Sequence, residues 1–122
     1  MTKELQGPGV TPYIPGGDCC GTVLDMGSAL PEDFGFDVGD RIAARFDDGP
    51  MGALAEYTLV STSMCDKAPV EIKSTEAAAL ASSATIALSL SKRVKANERV
   101  LIIGTGGGVG SHLCQLLRLR DV

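Results

Sequence analysis

The feature that most constrains the fold of this chain is a glycine-rich stretch between an apolar run and a helical pattern. Residues 100–103 are a continuous run of valine, leucine and isoleucine, as expected of a parallel strand buried on both faces. Glycine occupies five of the seven positions from Gly104 to Gly110. From Val109 onward, apolar residues recur at helical spacing. The sequence therefore predicts a strand, a glycine loop and a helix, in that order.

This order of elements suits the binding of a diphosphate. A tight turn from strand to helix needs a first residue without Cβ, a middle residue that lets a ligand approach, and a last residue that lets the helix pack closely. Gly104, Gly107 and Gly110 can fill these places. The free N–H groups at the start of the helix would then face the phosphates. The spacing is G-x-x-G-x-x-G, and a flexible loop between a core strand and a core helix is the alternative interpretation.

The rest of the chain falls into two parts that differ in composition. Between Thr11 and Pro69, glycine and proline interrupt short runs that are typical of strands. From Ser74 onward the composition favours helix, with Ser74 as a candidate N-cap and Glu76 in the first turn. The predicted elements are strands over residues 21–26, 40–46 and 53–60, turns at residues 38–40 and 48–50, and a second helix over residues 85–94.

Composition excludes some classes of partner. The chain has a net charge of -4, which is the wrong sign for nucleic acid or an anionic membrane surface. Its longest weakly polar run, residues 77–90, is shorter than the roughly 20 apolar residues that a membrane span needs. The N-terminus has no apolar signal segment, which predicts a cytoplasmic protein. The four cysteines match neither a disulfide framework nor a metal knuckle, so no metal site is expected.

Seven short motifs resemble those of medium-chain dehydrogenases/reductases in order and approximate spacing, and together they cover almost the whole chain. They are PYIPGGDCCGTV (residues 12–23), GS (27–28), VGDRI (38–42), GALAEY (52–57), KAP (67–69), EAAAL (76–80) and VLIIGTGGGVG (100–110).

The resemblance implies an α/β plus all-β fold. A GroES-like β-barrel portion (residues 1–84) would be followed by the first strand, loop and helix of a Rossmann domain (residues 85–122), and both domains would be incomplete. Zinc-dependent members of this family carry a Gly-His-Glu element where this chain has Gly16, Gly17 and Asp18. They also often insert a cysteine-rich lobe between the segments that match Asp40 and Tyr57, where this chain has no cysteine. The resemblance therefore points to the zinc-independent, quinone-oxidoreductase-like branch.

The same resemblance implies a nicotinamide cofactor, with NADP favoured and NAD as the alternative. In the family, a threonine on the helix that links the two domains lies against the nicotinamide, and Thr85 falls at that place. The alternative is that its hydroxyl simply bonds back to a helix carbonyl. His112, Asp18, Tyr13 and Tyr57 receive no catalytic role, so the catalytic residues stay unknown. The predicted cofactor-binding residues are Thr85, Gly104, Gly106, Gly107, Gly108, Val109 and Gly110.

The reaction implied is hydride transfer from NAD(P)H to a quinone or an α,β-unsaturated carbonyl. Two alternatives are a non-catalytic nucleotide-binding relative and a truncated product without its own activity. The expected partners are a small carbonyl or quinone substrate and, in the intact protein, a second subunit of a homodimer. The family's opening strands would precede Pro12, so the isolated chain is expected to fold poorly or to depend on a partner, and not to catalyse.

Overall fold

The computed structural model describes residues 13–30, 35–46, 51–120 and 122. The chain divides into two compact units, Met1–Ala78 and Ala79–Val122. We label the elements in chain order as strand β1 (Asp18–Thr22), strand β2 (Arg41–Arg45), a short 3-10 turn (Thr62–Met64), strand β3 (Cys65–Lys67), and helices α1 (Ser74–Leu80), α2 (Ser83–Ser91) and α3 (Gly108–Arg118).

The first unit contains a three-stranded antiparallel sheet in the order β1-β2-β3. Ala44 in β2 lies opposite Cys19 in β1 and opposite Cys65 in β3. Directly opposed residues of an antiparallel sheet point to the same face, so the two cysteines flank Ala44 on one face. Ala44 is only 1% exposed. This row of small side chains therefore forms the buried face of the sheet.

The turn before β2 has the geometry that its sequence predicts. Gly39 has φ +97°, a conformation that glycine adopts without strain. Its N–H donates to the Val23 carbonyl, and the Val23 N–H donates to the Asp40 carbonyl, each at 2.9 Å. After the sheet, the Arg41 guanidinium donates to the carbonyls of Pro69 and Ile72 and so holds the segment that leads to α1.

Of the predicted strands, the one over residues 40–46 is confirmed as β2, whereas β1 lies earlier than the predicted residues 21–26. The predicted strand over residues 53–60 is wrong, because this segment forms bends and β3 is the third strand instead. Leu54, Tyr57 and Leu59 are 74–82% exposed, so the segment lacks a buried face. The predicted turn at residues 48–50 lies outside the described residues.

The first helix begins where the sequence predicts but is capped differently. Ser74 is its first helical residue and not its N-cap. The N–H of the preceding Lys73 donates to the Glu76 carboxylate at 2.9 Å. This side chain therefore satisfies a backbone donor at the helix start, as in one half of a capping box.

In the second unit, α2 packs against α3. Ala87 and Ser91 of α2 and Leu117 of α3 are at most 4% exposed. The Arg120 guanidinium donates to the Ser91 carbonyl at the end of α2. Helix α2 begins at Ser83 and ends at Ser91, slightly earlier at both ends than the predicted residues 85–94.

The predicted strand over residues 100–103 is wrong for this structure. No strand is assigned there, and Val100, Leu101 and Ile103 are 42%, 86% and 90% exposed. A parallel strand exists only when neighbouring strands bond to its edges, and no described strand lies beside this segment. Over the residues that it describes, the structure thus shows α/β content of three strands and three helices, while the GroES-like and Rossmann assignments stay predictions.

Candidate functional site

The glycine turn before α3 closes by a single internal hydrogen bond. Gly104 has φ +90°, which favours a residue without Cβ. The Gly107 N–H donates to the Gly104 carbonyl at 3.1 Å. Gly107 then takes the N-cap position in an extended conformation, and α3 begins at Gly108. The predicted order of loop and helix is confirmed, with the amide of Gly107 already bonded inside the turn.

The last glycine of the loop is where the chain approaches itself most closely. A Cβ on Gly110 would lie 2.3 Å from the Gly104 carbonyl oxygen and 2.8 Å from Cα of Thr105. Such distances do not occur between real atoms, so the first turn of α3 can rest on the loop only because residue 110 is glycine. Gly110 was predicted to let the helix pack on a strand, whereas in the structure it lets the helix approach the turn itself.

The first turn of α3 presents backbone donors. Within the described part of the chain, no residue accepts a hydrogen bond from the N–H groups of Gly106, Gly108, Val109 or Gly110. The first amide of the helix with an internal acceptor is that of Ser111, which donates to the Gly107 carbonyl at 2.9 Å. These four donors are the unpaired groups that every helix start has to offer to a side chain, to water or to a ligand.

The loop geometry fits a diphosphate. A Cβ built on Gly106 would have nothing within 4 Å, so the space over the loop is open on that side. The first turn of α3 carries no acidic residue, which leaves the positive end of the helix dipole unopposed. Free amides, an approach without side chains and a positive helix end are the features with which glycine loops hold nucleotide phosphates.

One residue that contacts the glycine loop, Ser83, is not among the predicted site residues. A Cβ on Gly108 would lie 2.6 Å from Oγ of Ser83, the first residue of α2. Glycine at position 108 therefore lets the starts of α2 and α3 approach each other. The sequence signal for a helix start at Ser83 was the pair of adjacent serines before an apolar helical run, since serine is common at helix starts.

Thr85 lies in α2 with an exposed side chain. Its Oγ1 donates to the Ala81 carbonyl at 2.9 Å, which is the helix back-bond considered as the alternative.

His112, in α3, has Nδ1 2.7 Å from the Gly108 carbonyl oxygen. Tyr57 is 74% exposed and belongs to the first unit.

Two cysteines of the sheet, Cys19 and Cys65, are held in their neutral form. Burial raises the pKa of the Cys19 thiol, and the neighbouring Cys20, Asp18 and Cys65 raise it further. Burial, together with Asp66, raises the pKa of Cys65 in the same direction. Since the thiolate is the reactive form, these two side chains are poor nucleophiles at neutral pH.

The residues that the structure describes contain no cluster of three or more His, Cys, Asp or Glu side chains placed to hold a metal ion. No helix within those residues has both the length and the apolar character that crossing a bilayer requires.

No protein-family model matches the chain. Individual proteins do match it. It is 37% identical over 114 residues to a probable quinone oxidoreductase of Schizosaccharomyces pombe, in a match that covers 91% of this chain and 33% of that protein. It is 34% identical over 118 residues to a chloroplastic quinone-oxidoreductase homolog of Spinacia oleracea, covering 90% of this chain and 35% of that protein.

A third relative is the mitochondrial NAD(P)H oxidoreductase RTN4IP1 of Danio rerio, 32% identical over 120 residues, with 93% of this chain and 30% of that protein covered. The chain is thus similar to proteins that are named as quinone oxidoreductases. This similarity supports the medium-chain dehydrogenase/reductase resemblance without distinguishing its zinc-independent branch. The chain spans about a third of the length of these three relatives.

The relatives also correct one expectation. A cytoplasmic setting was predicted from the absence of an apolar signal segment, but the relatives from spinach and zebrafish are named as chloroplastic and mitochondrial. The prediction is therefore wrong as a deduction from the sequence. Leaders for these organelles lack the long apolar core of a secretory signal, so its absence does not separate cytosol from organelle.

Proposed function

We propose that this chain is part of a zinc-independent, NAD(P)H-dependent oxidoreductase of the quinone oxidoreductase type. In this proposal the turn over residues 104–110 binds the diphosphate of the cofactor. The observation that carries it is the set of four backbone donors at the start of α3, on Gly106, Gly108, Val109 and Gly110, which have no acceptor within the described residues. Homology to proteins named as quinone oxidoreductases supports the same conclusion.

In the proposed reaction, bound NAD(P)H supplies the hydride that reduces a quinone or an α,β-unsaturated carbonyl. The chain's own contribution is to bind the cofactor and to fix its orientation. Gly104 and Gly110 keep the loop in the shape that aims the amides, and Gly107 starts the helix. We favour NADP over NAD because the zinc-independent branch usually uses it.

Thr85 is proposed to lie against the nicotinamide. Its hydroxyl proton is engaged with the Ala81 carbonyl, which leaves lone pairs on Oγ1. An exposed hydroxyl oxygen of this kind can accept a hydrogen bond from the carboxamide of a nicotinamide. Such a contact would orient the ring without any change in the helix.

The whole protein is proposed to contain a GroES-like domain that includes residues 1–84 and a Rossmann domain that begins at residue 85. We propose that it acts on small molecules as a homodimer, without nucleic acid or membrane partners. Its net charge of -4 supports the exclusion of polyanions.

The cofactor site is tested by titrating the intact protein with NADPH and with NADH while following cofactor fluorescence. We expect saturable binding, and we expect Gly106→Ala to weaken it about tenfold or more, because a methyl group there enters the space reserved for the phosphates. Gly27→Ala is the matched control, since a Cβ at Gly27 also meets nothing within 4 Å. Failure of both nucleotides to bind, or equal weakening by the control, would contradict the proposal.

Catalysis is tested separately on the intact protein, because no catalytic residue is assigned within this chain. NADPH oxidation that depends on an added quinone or enone would support the enzymatic function. Saturable NADPH binding without oxidation by any acceptor would favour the non-catalytic nucleotide-binding relative instead. We expect the isolated chain to show no turnover.

A further inference from the structure

A hydroxyl group at the start of α2 lies against the glycine turn. A Cβ on Gly108 would lie 2.6 Å from Oγ of Ser83 and 3.1 Å from its Cβ, so the hydroxyl fills the space of a side chain at position 108. Three other helical hydroxyls donate to carbonyls three or four positions earlier, namely those of Thr85, Ser91 and Ser111. Among the described residues, the Ser83 hydroxyl has no such partner. Ser83 is half-buried, and no buried side-chain N or O atom in the described part of the chain lacks a partner, so its Oγ is open to solvent.

This hydroxyl is close enough to the free amides of the turn to share a ligand with them. Standard bond lengths place a Cβ about 2.5 Å from the nitrogen of its own residue, so Ser83 Oγ lies within roughly 5 Å of the Gly108 nitrogen. Two donors about 5 Å apart can bond one phosphate group, because each hydrogen bond is about 2.9 Å long and the phosphate oxygens lie between the donors. One phosphate can therefore contact both helix starts.

Helices α2 and α3 run parallel, so their like ends lie together. Their starts meet at Ser83 and Gly108, and their ends meet where the Arg120 guanidinium donates to the Ser91 carbonyl. Like ends of two helix dipoles repel each other unless a charge of opposite sign lies beside them. At the negative ends this charge is Arg120, whereas the first turns of both helices carry no acidic residue. An anion between the two starts would supply the missing charge.

We propose that the Ser83 hydroxyl donates a hydrogen bond to the cofactor diphosphate, which then binds between the starts of α2 and α3. This inference rests on the proposed function, because it takes the turn over residues 104–110 as the diphosphate site. A serine hydroxyl donates to a phosphate oxygen without bringing a charge of its own, and the contact with Gly108 fixes its position. The diphosphate is common to NADPH and NADH, so the hydroxyl contributes equally to the binding of both.

The test is titration of the intact protein with NADPH and with NADH, in the parent and in Ser83→Ala. We expect Ser83→Ala to weaken the binding of both nucleotides by about tenfold, the effect of losing one hydrogen bond to a charged group. ADP, which has a diphosphate, should lose the same factor as a competitor of NADPH. Adenosine, which has no phosphate, should compete as well as it does against the parent.

Ser82→Ala is the matched control, since Ser82 is the neighbouring half-buried serine and its side chain makes no capping hydrogen bond. We expect its affinity for both nucleotides to stay within about twofold of the parent. Thermal melting followed by helical circular dichroism shows that each variant is folded.

Ser83→Asp is a second variant, whose effects on folding and on binding should have opposite signs. A carboxylate in the first turn of α2 interacts favourably with the helix dipole, so we expect the melting temperature to be equal to that of the parent or higher. The same carboxylate repels the diphosphate, so we expect both nucleotides to bind at least as weakly as in Ser83→Ala.

Unchanged binding in Ser83→Ala or in Ser83→Asp would overturn the role of Ser83 while leaving the cofactor site in place. A loss that Ser82→Ala shares, or that extends equally to adenosine, would do the same. Failure of the parent protein to bind either nucleotide would instead overturn the cofactor site itself, and this inference with it.

Discussion

Gly110 shows how one residue can be required by geometry alone. The 2.3 Å separation between its added Cβ and the Gly104 carbonyl oxygen can be relieved only by moving backbone. We expect Gly110→Ala to destabilise the second unit by roughly 1–3 kcal/mol, as overpacking does, even though alanine favours helix. Urea denaturation followed by helical circular dichroism measures this change.

Gly106→Ala is the comparison for that experiment, because its Cβ meets nothing within 4 Å. We expect its stability to stay within about 0.5 kcal/mol of the parent chain. If both variants lose the same stability, the close approach at position 110 is not the cause. The pair also separates the two roles of the loop, since position 110 serves packing and position 106 is proposed to serve the ligand.

Asp40 and Lys67 form an ion pair at 2.7 Å that joins the turn before β2 to the end of β3. The hydrogen bond from Lys67, helped by the Asp37 N–H, lowers the pKa of Asp40 from 3.8, and the same bond raises the pKa of Lys67 from 10.5. The stabilisation by Asp40 is therefore present above pH 3.8 and is lost as the pH falls through its lowered pKa. The stabilisation by Lys67 is present below pH 10.5 and is lost as the pH rises through its raised pKa.

We expect the parent chain to be slightly more stable than Asp40→Asn between these limits, with the difference vanishing in stronger acid. Both side chains are solvent-accessible, so salt should reduce the difference. Free energies of unfolding measured against pH for the two proteins provide the check. A difference that persists unchanged at pH 2 would show that the carboxylate charge is not responsible.

At the scale of the element, the C-terminal end of α2 depends on a side chain that follows α3. The Arg120 guanidinium donates to the Ser91 carbonyl, which also accepts from the Val94 N–H. A cation at this place satisfies a terminal carbonyl and opposes the negative end of the helix dipole.

We expect Arg120→Ala to destabilise the paired helices by about 1 kcal/mol, because the carbonyl loses a charged donor. Arg118→Ala is the matched control, since Arg118 is exposed in the last turn of α3, and we expect it to cost less than about 0.5 kcal/mol. Chemical denaturation of both variants distinguishes them. Equal losses would mean that positive charge near the chain end, and not the bond to Ser91, stabilises α2.

The sequence predicts an element well when the interactions that form it join residues close together along the chain. Helix α3, the turn at Gly39 and strand β2 follow from residue order and from glycine at positive φ, so they were predictable. The segments over residues 53–60 and 100–103 carry strand-like composition, but a strand needs a neighbouring edge, which composition does not supply. Strand β3 was missed because three residues that include Asp66 and Lys67 show no apolar pattern.

At the scale of the whole molecule, the buried apolar side chains are few and small. Among the described residues they are Ala44, Ala68, Ala77, Ala87 and Leu117. Alanine buries little area, and hydrophobic stabilisation grows with the area removed from water. The described core is therefore expected to contribute little hydrophobic stabilisation.

The same reasoning explains why the candidate site was only partly predictable. The cofactor loop is contiguous in sequence, so its glycines could be named from their spacing. Catalytic groups that come from distant segments leave no such local pattern, and none could be assigned. Ser83 beside Gly108 was missed for a related reason, because the contact joins two helices that are separated along the chain.

The geometry at Gly104 and Gly110 also has a consequence for inheritance. Every glycine codon begins with the same two bases, so any change in the first or second base replaces glycine or ends translation. At Gly104 a replacement must adopt a backbone conformation that other residues avoid, and at Gly110 its Cβ meets a carbonyl oxygen. A gene for this chain is thus most vulnerable to point mutation where the protein itself has no side chains.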